Sequence, residues 1–174
     1  MSVRERLQAA ADSIPLPAET LAGVVIGVLA QRFRPLPLPA WTRPVGSVLA
    51  GTGLAVVVAA WQERGPGSLE DPETLVTTGL HRVSRNPIYL GFTAAHLGLA
   101  GATRNGWMLA TCPVSAALVH RWVLREEDWL RDRFGSEYDA YRGRVPRYLA
   151  QPTGWIAVTP VAANRGYITK TQSR

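Results

Sequence analysis

The stretch LHRVSRNPIYLG, Leu80 to Gly91, sets His81, Arg82 and Arg85 against the mouth of an apolar run. Asn86 suits a helix N-cap and Pro87 a first helical residue, so a helix is expected to start there. Its free backbone N–H groups and positive dipole end, beside Arg85, would favour an anionic group such as a carboxylate. From that start Tyr89 and His96 share a helix face, as do Gly91 and Gly98. A second constellation, His120-Arg121 followed by Arg125-Glu126-Glu127, closes a later apolar run. Adjacent carboxylates can accept paired ribose hydroxyls or an ammonium. His120 and Arg121 fall in the last turns of that run, where ionisable groups are functional candidates with Glu126 or Glu127 as ion partners. Each feature also has a structural reading. Gly91 and Gly98 can be packing glycines, His96 a satisfied buried histidine, Arg85 a snorkelling flank residue, and the Glu pair solvated charge at a helix end.

Four apolar segments must position these groups: Leu21 to Ala30, Val45 to Trp61, Ile88 to Ala102 and Gly106 to Leu124. Each is at or below the ~17–25 residues of a spanning helix, but four in succession with short connections point to a membrane bundle. Small residues recur through them, which permits close helix approach in lipid. RFRPLPLPAWTRP cannot be helical throughout, and its Trp41 suits a headgroup-level anchor. TRNG is a turn that makes the third and fourth segments antiparallel neighbours. In the long polar loop between the pairs, Asp71-Pro72 is expected to open a brief helix and Thr78-Gly79 a turn. Beyond Leu124, REEDWLRDRFGSEYDAYRGRVPRYL is amphipathic and too polar to span, with Gly135 expected to break or cap it.

The expected architecture is an all-α integral membrane helical bundle, with about four spanning helices plus cytoplasmic C-terminal helices. One domain covers 1–174: an N-terminal hairpin 18–61, a loop 62–86, a C-terminal hairpin 87–124, a cap 125–150 and a tail 151–174 left without a reading beyond a loose or interfacial segment. The basic residues lie mostly on the side holding both termini, which the positive-inside rule makes cytoplasmic; the setting is the inner (plasma) membrane, multi-pass. The N-terminus lacks the order of a cleavable signal. Net charge is +6, but aromatic residues are not interleaved with a basic stripe, so nucleic acid is not expected as a partner. Cys112 is alone, without disulfide or zinc spacing, and no metal is expected. The sequence does not specify an oligomeric state.

TTGLHRVSRNPIYLG, then Gly98, then REEDWLRDRFGSEYDAYRGRVPR resembles the isoprenylcysteine carboxyl methyltransferase and phospholipid N-methyltransferase superfamily over about residues 75–150. The matching positions are Arg85-Asn86-Pro87-Ile88-Tyr89-Leu90-Gly91, Gly98, Glu126-Glu127, Phe134-Gly135, Tyr138, Tyr141 and Val145-Pro146. The resemblance implies a membrane enzyme that binds S-adenosylmethionine between its C-terminal spans and a cytoplasmic cap. It carries His81, Arg85, Asn86, Tyr89, Gly91, Gly98, Glu126 and Glu127 over as the cofactor pocket. Asn86 stands where the carboxyl methyltransferases have His, and His81 where many relatives have Tyr; the Asn form is closer to the phospholipid and small bacterial branches. Steroid-reductase-like relatives that use a nicotinamide cofactor tend to carry Glu where this chain has Phe92, which makes a reductase the lesser alternative. The acceptor implied is a lipid or lipophilic small molecule entering from the bilayer. An amine acceptor would lose its proton to His96 or His120; a carboxylate acceptor would be oriented by Arg121 or Arg125. A non-catalytic membrane scaffold is the third reading, and it predicts no saturable cofactor binding.

Overall fold

The computed structural model describes residues 17–64 and 74–149. They form five α-helices: α1 Ala18–Phe33, α2 Thr42–Arg64, α3 Pro87–Ala102, α4 Gly106–Phe134 and α5 Ser136–Arg144, with a 3₁₀ turn Gly79–Arg82 before α3. Among the described residues there is no strand, only an isolated bridge between Pro37 and Asn105, so the all-helical class holds. The N-terminal residues, the brief helix expected at Asp71-Pro72 and the tail lie outside the described residues. Gly79 turns with φ +55°, in keeping with a turn at Thr78-Gly79.

The fourth segment departs from expectation. Instead of ending at Leu124 before a separate cap, α4 runs unbroken to Phe134. The stretch from Arg125 to Phe134 is rich in good helix formers, and nothing in it breaks the ladder of backbone bonds. Gly135 ends the helix with φ +52° and its N–H on Arg131 O at 2.8 Å. The acidic pair therefore rides on a rigid rod continuous with the bundle.

Helices α1 and α2, expected as a hairpin, each take their main partner from the C-terminal pair: α1 packs on α4 and α2 on α3. Glycines set both contacts. A Cβ on Gly53 would lie 2.5 Å from Ala95 N and 2.6 Å from Gly91 O, and one on Gly98 would overlap Ala50 backbone. On the other pair, a Cβ on Gly27 would lie 2.8 Å from the backbone of Met108. Val57, Ala60, Ile88 and Phe92 form a buried cluster beneath Leu80. Apolar side chains also coat the outside, among them Leu21, Ile26, Val48, Leu54, Val58 and Val114. Among the described residues one helix, α2, is long and apolar enough to cross a membrane.

At one end of the bundle the α1–α2 connector and the α3–α4 turn are stitched together. Leu38 N donates to Arg104 O at 3.0 Å and Gly106 N to Leu36 O at 2.9 Å. Asn105 caps α4 by accepting Met108 N at 3.0 Å, and its amide donates to Gly27 O at 3.0 Å. This ties α1 to the start of α4 and fixes the opposite end, where the charged groups gather.

Candidate functional site

The N-terminus of α3 starts at Pro87 as its sequence requires, yet Asn86 makes no side-chain cap. Its amide instead donates to Glu127 Oε1 and to Arg147 O, both at 3.3 Å. A buried carboxylate facing the junction draws the amide nitrogen, and with the amide turned this way its oxygen accepts from no helix N–H. Ser84 completes the bracket: its Oγ accepts Asn86 N at 3.1 Å and donates to Arg147 O at 3.0 Å. Arg85 N donates to Pro146 O at 2.9 Å. The segment after α5 is thus sewn across the start of α3.

Glu127, delivered by α4, is buried beneath this segment. Arg147 grips it bidentately, Nε to Oε1 at 3.0 Å and Nη2 to Oε2 at 2.9 Å. Arg85 Nη2 lies 3.4 Å from Oε1, while its Nη1 donates to the Tyr138 hydroxyl at 3.3 Å. The hydrogen bond to Glu127 holds the Arg147 guanidinium above its ordinary range. Arg85 Nε is buried and has no hydrogen-bond partner among the described residues. An unpaired buried donor costs about 1–3 kcal/mol, more for a charged group.

One residue earlier on α4, Glu126 turns the other way. Its Oε1 accepts Arg64 Nη2 at 2.7 Å and its Oε2 accepts the Tyr89 hydroxyl at 2.9 Å. Beside Arg64, Glu63 accepts Leu80 N at 2.8 Å and pairs with His81 Nδ1 at 3.0 Å. The His81 carbonyl accepts the Tyr141 hydroxyl at 2.7 Å, and burial pushes that phenol up to about 12, so it remains a donor. Five elements meet here: the end of α2, the 3₁₀ turn, the start of α3, the later part of α4 and, through Tyr141, α5.

Burial pushes His81 below its ordinary value, the Glu63 bond opposes this and the Arg64 charge adds to it. The unfolded chain then takes up the proton first as pH falls. Stability from this residue is complete above about pH 6.5 and is lost as pH drops through the depressed folded value. The expected result is an unfolding midpoint that starts to decline as pH falls below about 7, above most carboxylate titration, and a flatter profile in His81→Gln. Circular dichroism melts in detergent measure it; an equal slope in both proteins would remove His81 as the cause.

The remaining sequence candidates lie elsewhere. Gly91 and Gly98 face α2, where Cβ atoms would meet Val57 and Gly53 from Gly91 and Ala50 from Gly98. His96 is buried mid-bundle, two turns beyond Tyr89, with Nε2 at 3.4 Å from Thr111 Oγ1 and Nδ1 without a hydrogen-bond partner among the described residues. His120 Nδ1 pairs with the Tyr148 hydroxyl at 2.9 Å. Arg121 and Arg125 are exposed, the latter stacked 4.9 Å above Trp122. Glu63, Arg64, Ser84, Arg147 and Tyr148 were missed in the sequence. Arg147 had a signal, since it directly follows the Val145-Pro146 pair already singled out.

Comparison with known proteins places this geometry in context. A family model described as Phospholipid methyltransferase matches residues 43–137, more than half of the chain. That span carries α2, α3 and nearly all the groups around Glu126 and Glu127, while Tyr138, Tyr141 and Arg147 lie past it. The nickel-cobalt-cadmium resistance protein NccN of Alcaligenes xylosoxydans xylosoxydans is 34% identical over 75 residues, 43% of this chain. The match spans 35% of that relative's length. No solved structure matches the chain.

Proposed function

Because the chain belongs to the phospholipid methyltransferase family, we propose that it is an integral membrane enzyme that moves a methyl group from S-adenosylmethionine to a lipophilic acceptor. In this reading α1, α2, α3 and the first two thirds of α4 span the bilayer, with both termini on the cytoplasmic side of the inner membrane. The outward apolar side chains of α1, α2 and α4 support it. Glu126 stands twenty residues along α4 from Gly106, about 30 Å at 1.5 Å per residue, which is the thickness of the hydrocarbon core. The acidic pair would then sit at the cytoplasmic boundary, open to a soluble cofactor on one side and lipid on the other.

The observation that carries the reading is the convergence of Arg85, Asn86, Tyr89, Glu126 and Glu127 at one end of the bundle. The donor set suits a molecule bearing an ammonium, a carboxylate and ribose hydroxyls. Arg85 offers a buried N–H without a partner, and each oxygen of Glu126 accepts one hydrogen bond where a carboxylate oxygen can accept two. When bound, S-adenosylmethionine supplies a methyl group on a sulfonium, already activated for in-line displacement. Arg85 would hold the carboxylate end of the cofactor, with Asn86 fixing the bracket beside it. The acidic pair would take its ammonium or hydroxyls on the Glu126 side, and Tyr89 would offer an aromatic face to a cation. His81 fixes the turn before α3, while Gly91 and Gly98 let α2 close on α3 so that Arg64 reaches Glu126.

Alignment and water exclusion are the main contributions of such a site. His96 or His120 takes up the proton of an amine acceptor, and Arg121 or Arg125 orients a carboxylate one. The family match does not favour a nicotinamide-dependent reductase. The test is incubation of the detergent-purified chain with methyl-tritiated S-adenosylmethionine and a lipid extract of the source cells. The expected result is label in the organic phase, with the product identified by mass. No saturable binding of the cofactor and no labelled product would sink the reading.

A further inference from the structure

The two adjacent carboxylates are not equivalent. Glu127 accepts Asn86 Nδ2, Arg147 Nε and Arg147 Nη2, with Arg85 Nη2 close by at 3.4 Å. Three of these donors converge on Oε1, more than the two that one carboxylate oxygen readily accepts, while Arg147 Nη2 holds the buried Oε2. The Glu127 side chain is 8% exposed, and two guanidiniums more than balance its charge. Glu126 is 24% exposed and, among the described residues, accepts one donor on each oxygen, Arg64 on one and Tyr89 on the other. About two of its lone-pair sites remain open to a ligand.

Resting on the methyltransferase reading, we propose that the pair divides its work: Glu126 contacts the cofactor, whereas Glu127 is a positioning residue that acts through Arg85 and the Arg147 segment. A ligand donor approaching Glu127 meets Oε1 already crowded by three donors, or must pass the Arg147 guanidinium to reach the buried Oε2. At Glu126 it meets open acceptor capacity beside water. Glu127 in turn holds one of the Arg85 nitrogens, and Tyr138 holds another. The planar fork is thereby oriented without Glu127 touching the ligand.

The experiment measures S-adenosylhomocysteine affinity by calorimetry and cofactor-free unfolding midpoints for Glu126→Gln, Glu127→Gln, Arg85→Gln and two double variants. Glu126→Gln is expected to weaken binding about tenfold or more, the loss of one hydrogen bond to a charged group, with the midpoint within ~2 °C of wild type. Glu127→Gln is expected to lower the midpoint by about 10 °C, since it takes the counter-charge from the buried Arg85 guanidinium and half of the Arg147 grip. Its effect on affinity disappears when Arg85 is already Gln, whereas the effects of Glu126→Gln and Arg85→Gln multiply. If Glu127→Gln does not fold, Arg147→Gln replaces it in the cycle with Arg85→Gln, because Arg147 is 36% exposed and easier to remove. Unchanged affinity in Glu126→Gln, or an affinity loss in Glu127→Gln that multiplies with Arg85→Gln at an unchanged midpoint, overturns the division. Absence of saturable binding by the wild-type chain overturns the methyltransferase reading and the Glu126 role, while the unfolding midpoints still judge Glu127.

Discussion

Gly53→Leu is expected to unfold the α2–α3 pair in detergent, whereas Gly51→Leu two residues away leaves it intact. A side chain at position 53 would drive into Ala95 N and Gly91 O, both backbone atoms that cannot swing aside. Overpacking in a core costs about 1–3 kcal/mol and more when backbone must shift, so the loss is expected at or beyond ~3 kcal/mol. At about 2–4 °C per kcal/mol, that is a midpoint lower by roughly 10 °C. A Cβ at position 51 meets nothing within 4 Å, and the face it points to is apolar. Thermal melts of both variants decide the matter. Equal midpoints would mean that α2 and α3 do not meet along this stripe.

Arg85→Lys should be nearly as damaging to methyl transfer as Arg85→Ala, by on the order of 100-fold in rate, since misplacement of about 1 Å in an aligned reaction costs that much. The guanidinium spreads two of its nitrogens between Glu127 and Tyr138 and leaves Nε for a third partner. An ammonium is a compact charge on a flexible stem and cannot hold that planar arrangement. The measurement is tritium transfer to lipid under saturating cofactor. A rate for Arg85→Lys within about threefold of wild type would show that only charge is needed.

Helix starts were legible because they depend on local chemistry. Asn86-Pro87 and Asn105-Gly106 both open helices, and Gly135 closes one with a positive φ. The charged groups that would matter at the site were legible as types but not as pairs. Arg64 meets Glu126 across 62 positions of sequence, and Ser84 reaches Arg147 across 63. Hydrogen bonds of that reach leave no periodic trace in a single chain. Asn86 shows the same limit from the other direction. Its cap propensity was sound, but a carboxylate brought in by α4 redirected the side chain. The end of α4 was misplaced because falling hydropathy marks where apolar surroundings stop, while helix continuity depends on backbone propensity through residues such as Arg125 and Glu126.

The partner exchange between the two helix pairs has a consequence for biogenesis. As the chain leaves the ribosome, α1 is made first, yet the surface it is shaped to fit, on α4, is translated more than seventy residues later. Until then its notch at Gly23 and Gly27 has only lipid or a chaperone against it. Glu126 and Glu127 arrive on that same rod, so a cofactor site of the kind proposed would be complete only once α4 has closed on the bundle. A nascent-chain series truncated before α4 would leave α1 open to quality-control proteases, and cofactor retention would mark the first fully assembled molecules.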